Sequence, residues 1–135
     1  MTEPLTNGEY RALARFRHAL RRFQAFSEQA ARDAGITPSQ HQLLLAVRGF
    51  DGDGPPSTTD IAEMLQLRLH STGELVGRAE DNGLLVRDAD PDDLRRTRLH
   101  LTAVGEAKLA ELSVLHRREL RRFRREMNDV LRELR

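Results

Sequence analysis

The chain has 135 residues and a formal net charge of +1, with 39% hydrophobic, 32% charged and only 4% aromatic residues, a composition typical of one soluble, mainly helical domain with a leucine, alanine and valine core. It has no cysteine, which excludes disulfides, thiolate zinc sites and sensing by cysteine oxidation. No apolar run approaches the roughly 18 residues of a membrane span and residues 1–10 lack the segments of a signal peptide, so we expect a cytoplasmic protein with no membrane partner.

The first predicted element is a long helix over residues 8–34. Its apolar residues recur at spacings of three and four, and the apolar arc is broad for a small monomer. We therefore expect this helix to face both its own core and a second chain. The apolar residues are Tyr10, Leu13, Phe16, Leu20 and Phe23, with Ala12, Ala19, Phe26 and Ala30 beside them.

A second, shorter helix follows Gly35. Thr37 is its predicted cap, and Pro38 takes the first position, where a missing amide hydrogen costs nothing. Residues 43–47 are apolar nearly all round, which predicts a buried helix. The DGDG run in the loop over residues 49–58 resembles part of a calcium loop, but the further acids of such a loop are missing and an ordinary turn is favoured.

Residues 58–83 have the pattern of two short helices joined by a tight turn over residues 66–69. Thr58 or Thr59 is the predicted cap of the first helix, and the second runs over residues 70–82 with Gly83 just beyond its end. This pattern is typical of a helix-turn-helix, whose second helix can enter the DNA major groove. The predicted buried residues are Ile61, Ala62 and Leu65 in the first helix and Leu75, Val76 and Ala79 in the second.

Residues 84–102 have the alternation of a β-hairpin around a polar loop, DADPDDLRR. A hairpin directly after a recognition helix is a wing. Arg95 and Arg96 lie at its tip or on its return strand, where an arginine can reach a narrow minor groove.

The remaining residues predict one more long helix, from residue 103 to the end. Its apolar stripe drifts at the five-residue step from Leu115 to Leu120, so a bend or a second helix there is an alternative. With the first helix it predicts the interface of a homodimer, because uncovered apolar stripes need a partner; a closed monomeric bundle is the alternative. Residues 117–125 contain six arginines, interpreted as a solvated face with Glu119 pairing locally or as a second anionic contact near DNA.

Three stretches together resemble the MarR (multiple antibiotic resistance regulator) family of winged-helix transcription factors: ITPSQHQLLLAV at 36–47, STTDIAEMLQLRLHSTGELVGRAEDNGLLVR at 57–87 and DPDDLRRTRLHLTAVGEAKL at 90–109. The resemblance implies one domain over 1–135, mainly α with a small β-hairpin wing (α+β). A winged helix-turn-helix lobe over 36–102 would lie between dimerisation helices over 8–34 and 103–135.

The wing departs from the family pattern at one position. The family's succession of an acid, a base and an arginine is Asp93–Leu94–Arg95 here, so the middle base is missing, and Arg96 is the residue that could replace it. The resemblance also implies a pocket for a small phenolic or aromatic effector between the dimerisation helices and the DNA lobe. The candidates for this pocket are His18, Phe23, His41 and Leu44.

The candidate DNA contacts at the start of the second helix of the helix-turn-helix and on its exposed face are Arg68, His70, Ser71, Thr72, Glu74 and Arg78, with Arg95 and Arg96 in the wing. Ser71 and Thr72 have an alternative role as helix caps, and Glu74 as a partner of Arg78. Gly73 and Gly77 cost about 1 kcal/mol each against alanine inside a helix, which indicates close approach to a phosphate strand or to a neighbouring helix.

Charge is the main observation against DNA binding. Residues 57–101 contain six arginines and nine acids, a net charge of −3, whereas residues 103–135 contain nine bases and six acids. A DNA-binding module is expected to have a basic face, so the acids must turn away from the arginines or the affinity is modest.

No catalytic, metal or cofactor site is predicted. The five histidines are scattered, and none forms a ligand pair at helical spacing. The sequence therefore favours a homodimeric, sequence-specific regulator of transcription, a ligand-responsive repressor of a pseudo-palindromic operator in double-stranded DNA. The alternative is a winged-helix dimer that binds a ligand or a protein and has lost DNA binding.

Overall fold

A computed structural model describes residues 2–134 of the chain. Within them lie five helices and one two-stranded antiparallel sheet, which confirms the mainly helical fold with a hairpin. In chain order the elements are α1 (Asn7–Asp33), α2 (Pro38–Arg48), α3 (Thr58–Leu65), α4 (Leu69–Asp81), β1 (Leu85–Asp90), β2 (Asp93–Leu101) and α5 (Ala103–Glu133).

The first three helices all begin with a capping box, in which a hydroxyl and the side chain three residues later each accept a hydrogen bond from the other's backbone amide. The boxes pair Thr6 with Glu9, Thr37 with Gln40, and Ser57 with Asp60. Two sequence predictions need correction here. Helix α1 begins at residue 7, and α3 is capped by Ser57, because the residues three beyond Thr58 and Thr59 are apolar.

Helix α4 begins at Leu69, one residue earlier than predicted. Arg68 is its N-cap and forms no side-chain capping bond, so the capping role considered for Ser71 and Thr72 is wrong. The turn before it is tight because Gln66 adopts a left-handed conformation with φ of 56°.

Helix α2 lies at the centre of the molecule and contacts all the other helices and β2. Leu43 and Leu44 are completely buried, as predicted, but Leu45 is 48% exposed. The core around α2 also contains residues of α1, Ile61 of α3 and Leu99 of β2. Helix α1, the helix-turn-helix and the wing therefore share one hydrophobic core.

The hairpin lies where it was predicted, but its strands are longer and its loop is shorter. Only Pro91 and Asp92 separate its strands, and most of the predicted nine-residue loop belongs to them. Asp88 lies directly opposite Arg98 in the register, and their side chains are 2.9 Å apart. Such a cross-strand pair of opposite charges stabilises a hairpin, which explains why polar residues extend the strands.

Helix α5 is continuous over 31 residues, so the alternative of a second helix that begins near residue 115 is wrong. Leu115 and Leu120 are 39% and 49% exposed, whereas Leu112 and Val130 are buried. The helix turns different leucines to different sides, and the five-residue step therefore needs no distortion. At its start, Gly105 packs so closely on the backbone of Leu84 that an added Cβ would collide with the carbonyl oxygen.

The long helices α1 and α5 pack against each other and leave apolar side chains uncovered. Tyr10 and Leu13 of α1 and Leu120 and Leu131 of α5 are between 38% and 65% exposed. Between residues 2 and 134, none of the helices has the length and apolar character needed to cross a membrane.

Candidate nucleic-acid interface

Helix α4 is amphipathic, with one face in the core and the other exposed. Leu75, Val76 and Ala79 are buried. Thr72 lies with them, completely buried, and its hydroxyl donates to the carbonyl oxygen of Arg68 at 2.9 Å. Thr72 is therefore a core residue, and its side chain cannot reach a base; its prediction as a DNA contact is wrong.

The other candidates on or next to α4 are exposed: Arg68, His70, Ser71, Glu74 and Arg78. Glu74 lies 3.1 Å from the imidazole of His70, so its helical partner is His70 and not Arg78. Among residues 2–134, Arg68 and Arg78 form no ion pair with an acid, which leaves both guanidinium groups free to bind an external acceptor.

Gly73 and Gly77 lie on the outer side of α4 with open space around them. A Cβ built at either position has no neighbour within 4 Å. Within residues 2–134 no neighbouring helix approaches these glycines closely, so a close approach at this surface would be made by another molecule.

The wing presents one strongly exposed arginine. The side chain of Arg95 is 93% exposed, and its Nε lies 3.2 Å from Asp93, whose carboxylate also accepts the Arg95 amide at 3.1 Å. The preceding Leu94, at the position where the resemblance leads one to expect a base, is 79% exposed. The wing therefore offers a cation at residue 95 and an apolar side chain beside it.

Arg96 has a different environment. Its guanidinium donates to Asp60 of α3 at 2.8 Å, and its Nε lies 3.9 Å from the carboxylate of Asp90. That Nε is buried and has no hydrogen-bond partner. Both wing arginines and Leu69, the first residue of α4, line one cleft of about 620 Å³ between the helix-turn-helix and the wing.

Several acids of this half of the chain are paired with arginines of the same half. Asp88 accepts from Arg98 at 2.9 Å and lies 3.1 Å from His100. The hydrogen bond from Arg98 is the main cause that lowers the pKa of Asp88 to about 2, and that from His100 adds to it. Glu80 is likewise held by Arg87 at 2.9 Å, which lowers its pKa. These acids stabilise the hairpin and its junction with α4.

A second cleft, of about 910 Å³, lies between α1, α2 and α5. Two of the four candidate effector residues, Phe23 and His41, line it. His18 is exposed on α1 and lies outside its lining, and Leu44 is completely buried in the core. His18 and Phe23 are five residues apart on α1 and therefore point in different directions, whereas Leu44 is buried in the core cluster that also contains Leu109 and Leu112 of α5.

A histidine pair forms the inner wall of this cleft. The rings of His41 and His116 are 4.7 Å apart. His116 lies 2.7 Å from the Leu112 carbonyl through Nδ1 and 2.7 Å from the Ser27 hydroxyl through Nε2. A carbonyl only accepts, so Nδ1 carries the proton and, in the neutral ring, Nε2 accepts from Ser27.

His41 is the unsatisfied member of that pair. It is 3% exposed, and its Nδ1 is buried without a hydrogen-bond partner. Burial, and to a smaller extent the nearby His116, lower the pKa of His41. The ring is therefore neutral at pH 7 and presents a buried nitrogen beside the cleft, which favours a polar group of a bound molecule at this position.

The mouth of the cleft is basic. Arg117, Arg121 and Arg124 of the arginine run line it, and no acid does. The local partner predicted for this run was Glu119; instead Glu126 pairs with Arg122 at 3.5 Å and with Arg22 of α1. Within the described residues, no group of three histidines or acids could hold a metal ion.

Sequence reasoning missed several residues of the two clefts. His116 lies four and seven residues after the buried Leu112 and Leu109, so the helical period indicated its inward face. Ser27 and Asp60 carried no comparable signal, because their partners lie 89 and 36 residues away in the chain.

A helix-turn-helix whose second helix is exposed, followed by a hairpin that lines a common cleft with it, defines a winged-helix protein. Comparison with known proteins agrees with this class. The model of the MarR family matches residues 34–96. The chain is 32% identical over 111 residues to YkoM, an uncharacterized HTH-type transcriptional regulator of Bacillus subtilis, covering 78% of this chain and 69% of that protein. The chain belongs to the MarR family, a family of transcriptional regulators and not of enzymes.

Two further similarities agree with this result, the first in sequence and the second in fold alone. The chain is 28% identical over 108 residues to a putative transcriptional regulatory protein for the hcr operon of Thauera aromatica; the match covers 80% of this chain but 63% of that relative. Its fold is similar to that of a mutant MepR from S. aureus bound to an oligodeoxyribonucleotide, with a TM-score of 0.66, 23% identity, and coverage of 98% of this chain and 86% of the other.

Proposed function

We propose that the protein is a sequence-specific DNA-binding repressor that acts as a homodimer and responds to a small aromatic or phenolic effector. The observation that carries the DNA-binding part is the common cleft of the helix-turn-helix and the wing, with Leu69 of α4 on one side and Arg95 on the other. The free guanidinium groups of Arg68 and Arg78 lie on or next to the same helix. The DNA-bound MepR structure of similar fold supports this interpretation.

The contacts divide by chemistry. Arg78, with His70, Ser71 and Glu74, would contact base edges in the major groove. Arg68 and Arg95 would bind phosphates or the minor groove and fix the register. The open Gly73 and Gly77 would allow the backbone of α4 to approach a strand closely.

The homodimer is inferred from the uncovered apolar residues of α1 and α5. Leu131, 65% exposed, lies at the far end of α5 and is the sharpest place to test it. Analytical ultracentrifugation of Leu131→Glu should show dissociation to monomers, while the matched variant Leu94→Glu, on the wing, should sediment like the wild type. Equal sedimentation of both variants and the wild type would contradict an interface at this end of α5.

The effector is inferred from the cleft between α1, α2 and α5. Phe23, Phe123 and the imidazoles offer aromatic surface, the Nδ1 of His41 offers a hydrogen bond to a hydroxyl, and the arginines at the mouth offer charge. Because the cleft lies between the long helices and α2, a ligand that fits one arrangement better would shift the population of dimer shapes.

A panel of phenols and hydroxybenzoates, with binding followed by isothermal titration calorimetry, tests this part. Phe23→Ala should abolish a signal that the wild type gives, and the exposed His18→Ala should not. Equal loss of the binding signal in both variants, or no binding by the wild type, would contradict the proposed effector site. Neither result would bear on the proposal of DNA binding.

DNA binding itself is tested with a random pool of duplexes, titrated at two salt concentrations and sequenced after capture. We expect enrichment of an inverted repeat, with an affinity that falls steeply with salt as counterions are released. A reporter under the enriched sequence gives the sign of regulation, with lower expression expected when the protein is present.

The second candidate is a winged-helix dimer without DNA binding, and the net charge of −3 over residues 57–101 favours it. Absence of any enriched sequence at low salt, together with retained ligand binding in the helical cleft, would establish this candidate in place of the first.

A further inference from the structure

Among the described residues, two polar connections join the wing to α3 and the residue before it. The first is a backbone bridge between Ser57 and Arg98, in which the Leu99 amide donates to the Pro56 carbonyl at 2.9 Å. The second joins β2 to the first turn of α3 through a side chain, because the Arg96 guanidinium donates to Asp60 at 2.8 Å.

The carboxylate of Asp60 has two tasks. The oxygen that accepts from Arg96 also accepts from the Ser57 amide at 2.9 Å. One atom therefore completes the capping box of α3 and holds the wing. Any rotation of the wing away from α3 breaks a bond to an atom that the helix start already fixes.

Arg96 is poorly placed to bind DNA. It lies between the carboxylates of Asp60 and Asp90, so the three groups together carry a net charge of −1. Its Nε is buried, and its side chain is 40% exposed, against 93% for the neighbouring Arg95. A phosphate at Arg96 would have to displace a carboxylate at hydrogen-bond distance and approach two negative charges.

We propose that Arg96 is a positioning residue, which sets the angle of the wing on the helix-turn-helix through Asp60 and does not touch DNA, while Arg95 makes the wing's DNA contact. The inference rests on the proposed function, because the angle matters only if helix α4 and the wing bind one duplex together. It also corrects the expectation that Arg96 replaces the base missing at Leu94.

The experiment compares Arg96→Gln, Asp60→Asn and the matched control Arg95→Gln on a duplex enriched from the random pool by the wild-type protein. Affinity is measured by fluorescence anisotropy over a series of salt concentrations. Arg96→Gln should bind about three- to tenfold more weakly, with the same dependence of log affinity on log salt as the wild type, since no phosphate contact is lost. Arg95→Gln should reduce that slope by about 1.8 per dimer.

Asp60→Asn keeps the oxygen that caps α3 but removes its charge. If Arg96 positions the wing, this variant binds DNA more weakly than the wild type. If Arg96 instead binds a phosphate, removal of the competing carboxylate tightens binding and Arg96→Gln reduces the salt slope as Arg95→Gln does. Those two results would overturn the proposal.

Hydrogen exchange on the free proteins provides a readout independent of DNA. The Leu99 amide should exchange faster in Arg96→Gln than in the wild type and at the wild-type rate in Arg95→Gln. Equal exchange in all three would also overturn the proposal. If the wild type binds no duplex, the proposed function fails with it; if the wild type binds and Arg96→Gln is unchanged, only the positioning role fails.

Discussion

The two clefts of this protein contain the same kind of side chain in opposite surroundings. In the cleft between the wing and the helix-turn-helix, Arg95 and Arg96 each contact an aspartate. In the cleft between the long helices, Arg117, Arg121 and Arg124 line the mouth with no acid among them.

The difference indicates two physical roles for arginine. In the wing, paired arginines hold the surface in a fixed shape before any ligand arrives, at the expense of some positive potential. In the helical cleft, unpaired arginines and the unsatisfied nitrogen of His41 leave the interactions to a molecule from outside. The first arrangement favours preorganised binding of a large, regular partner, and the second favours capture of a small one.

The largest expected effect concerns the contact between the start of α5 and the base of the wing. Gly105→Ala places a methyl group against the backbone of Leu84 at the base of the wing, where neither side can yield easily. We expect a loss of about 3 kcal/mol in the free energy of unfolding, measured by urea denaturation. The matched control, Gly77→Ala, has open space and should gain about 1 kcal/mol from helix propensity. A neutral Gly105→Ala would contradict the close packing of α5 on residue 84.

The next effect separates base contacts from phosphate contacts within the wing and α4. Arg78→Ala should cost about 1–3 kcal/mol on the enriched sequence and relax the preference at one base position. Arg95→Ala should weaken binding to all duplexes alike. Sequencing of the captured pool for each variant measures both, and identical profiles for the two would remove the division of roles.

A smaller effect tests the buried histidine in the cleft between α1, α2 and α5. The pKa of His41 is lowered in the folded protein by burial and by His116. The folded protein therefore binds a proton at His41 only at a lower pH than the unfolded chain does, where the pKa is near 6.5. The stability from this group is complete above that pH and is lost as the pH falls below it. The free energy of unfolding should therefore decrease more between pH 7.5 and pH 5.5 in the wild type than in His41→Phe. Parallel pH profiles would contradict the buried neutral ring.

The smallest effect concerns the paired acids of the wing. Asp88 has a pKa of about 2 in the folded protein against an ordinary 3.8. Its contribution to stability is present above pH 3.8 and disappears as the pH falls toward 2. Asp88→Asn should lack this part of the acid sensitivity, as followed by circular dichroism of the hairpin signal during acid titration, and an unchanged titration would argue against the pairing with Arg98.

The sequence predicts those parts of the fold that depend on neighbours along the chain. The helices follow from apolar spacing, and the wing from alternation and turn residues. The predictions that failed concern residues whose environment is set by contacts with other parts of the fold. Thr72 has the polarity of a surface residue, yet a core position and the carbonyl of Arg68 bury it. The residues that shape the two clefts, such as Ser27 with His116 and Asp60 with Arg96, meet only after the chain has folded.

The double task of Asp60 has a consequence for how this protein tolerates mutation. Since one oxygen both starts helix α3 and holds the wing, a substitution there changes two elements at once, and no compensating change at a single other site restores both. In a library of all substitutions at residues 57–60, selected for folding and then for operator binding, Thr58 and Thr59 should accept many replacements. Residue 60 should accept aspartate and the other capping residues asparagine, glutamate and glutamine in the first selection, and aspartate above all of them in the second.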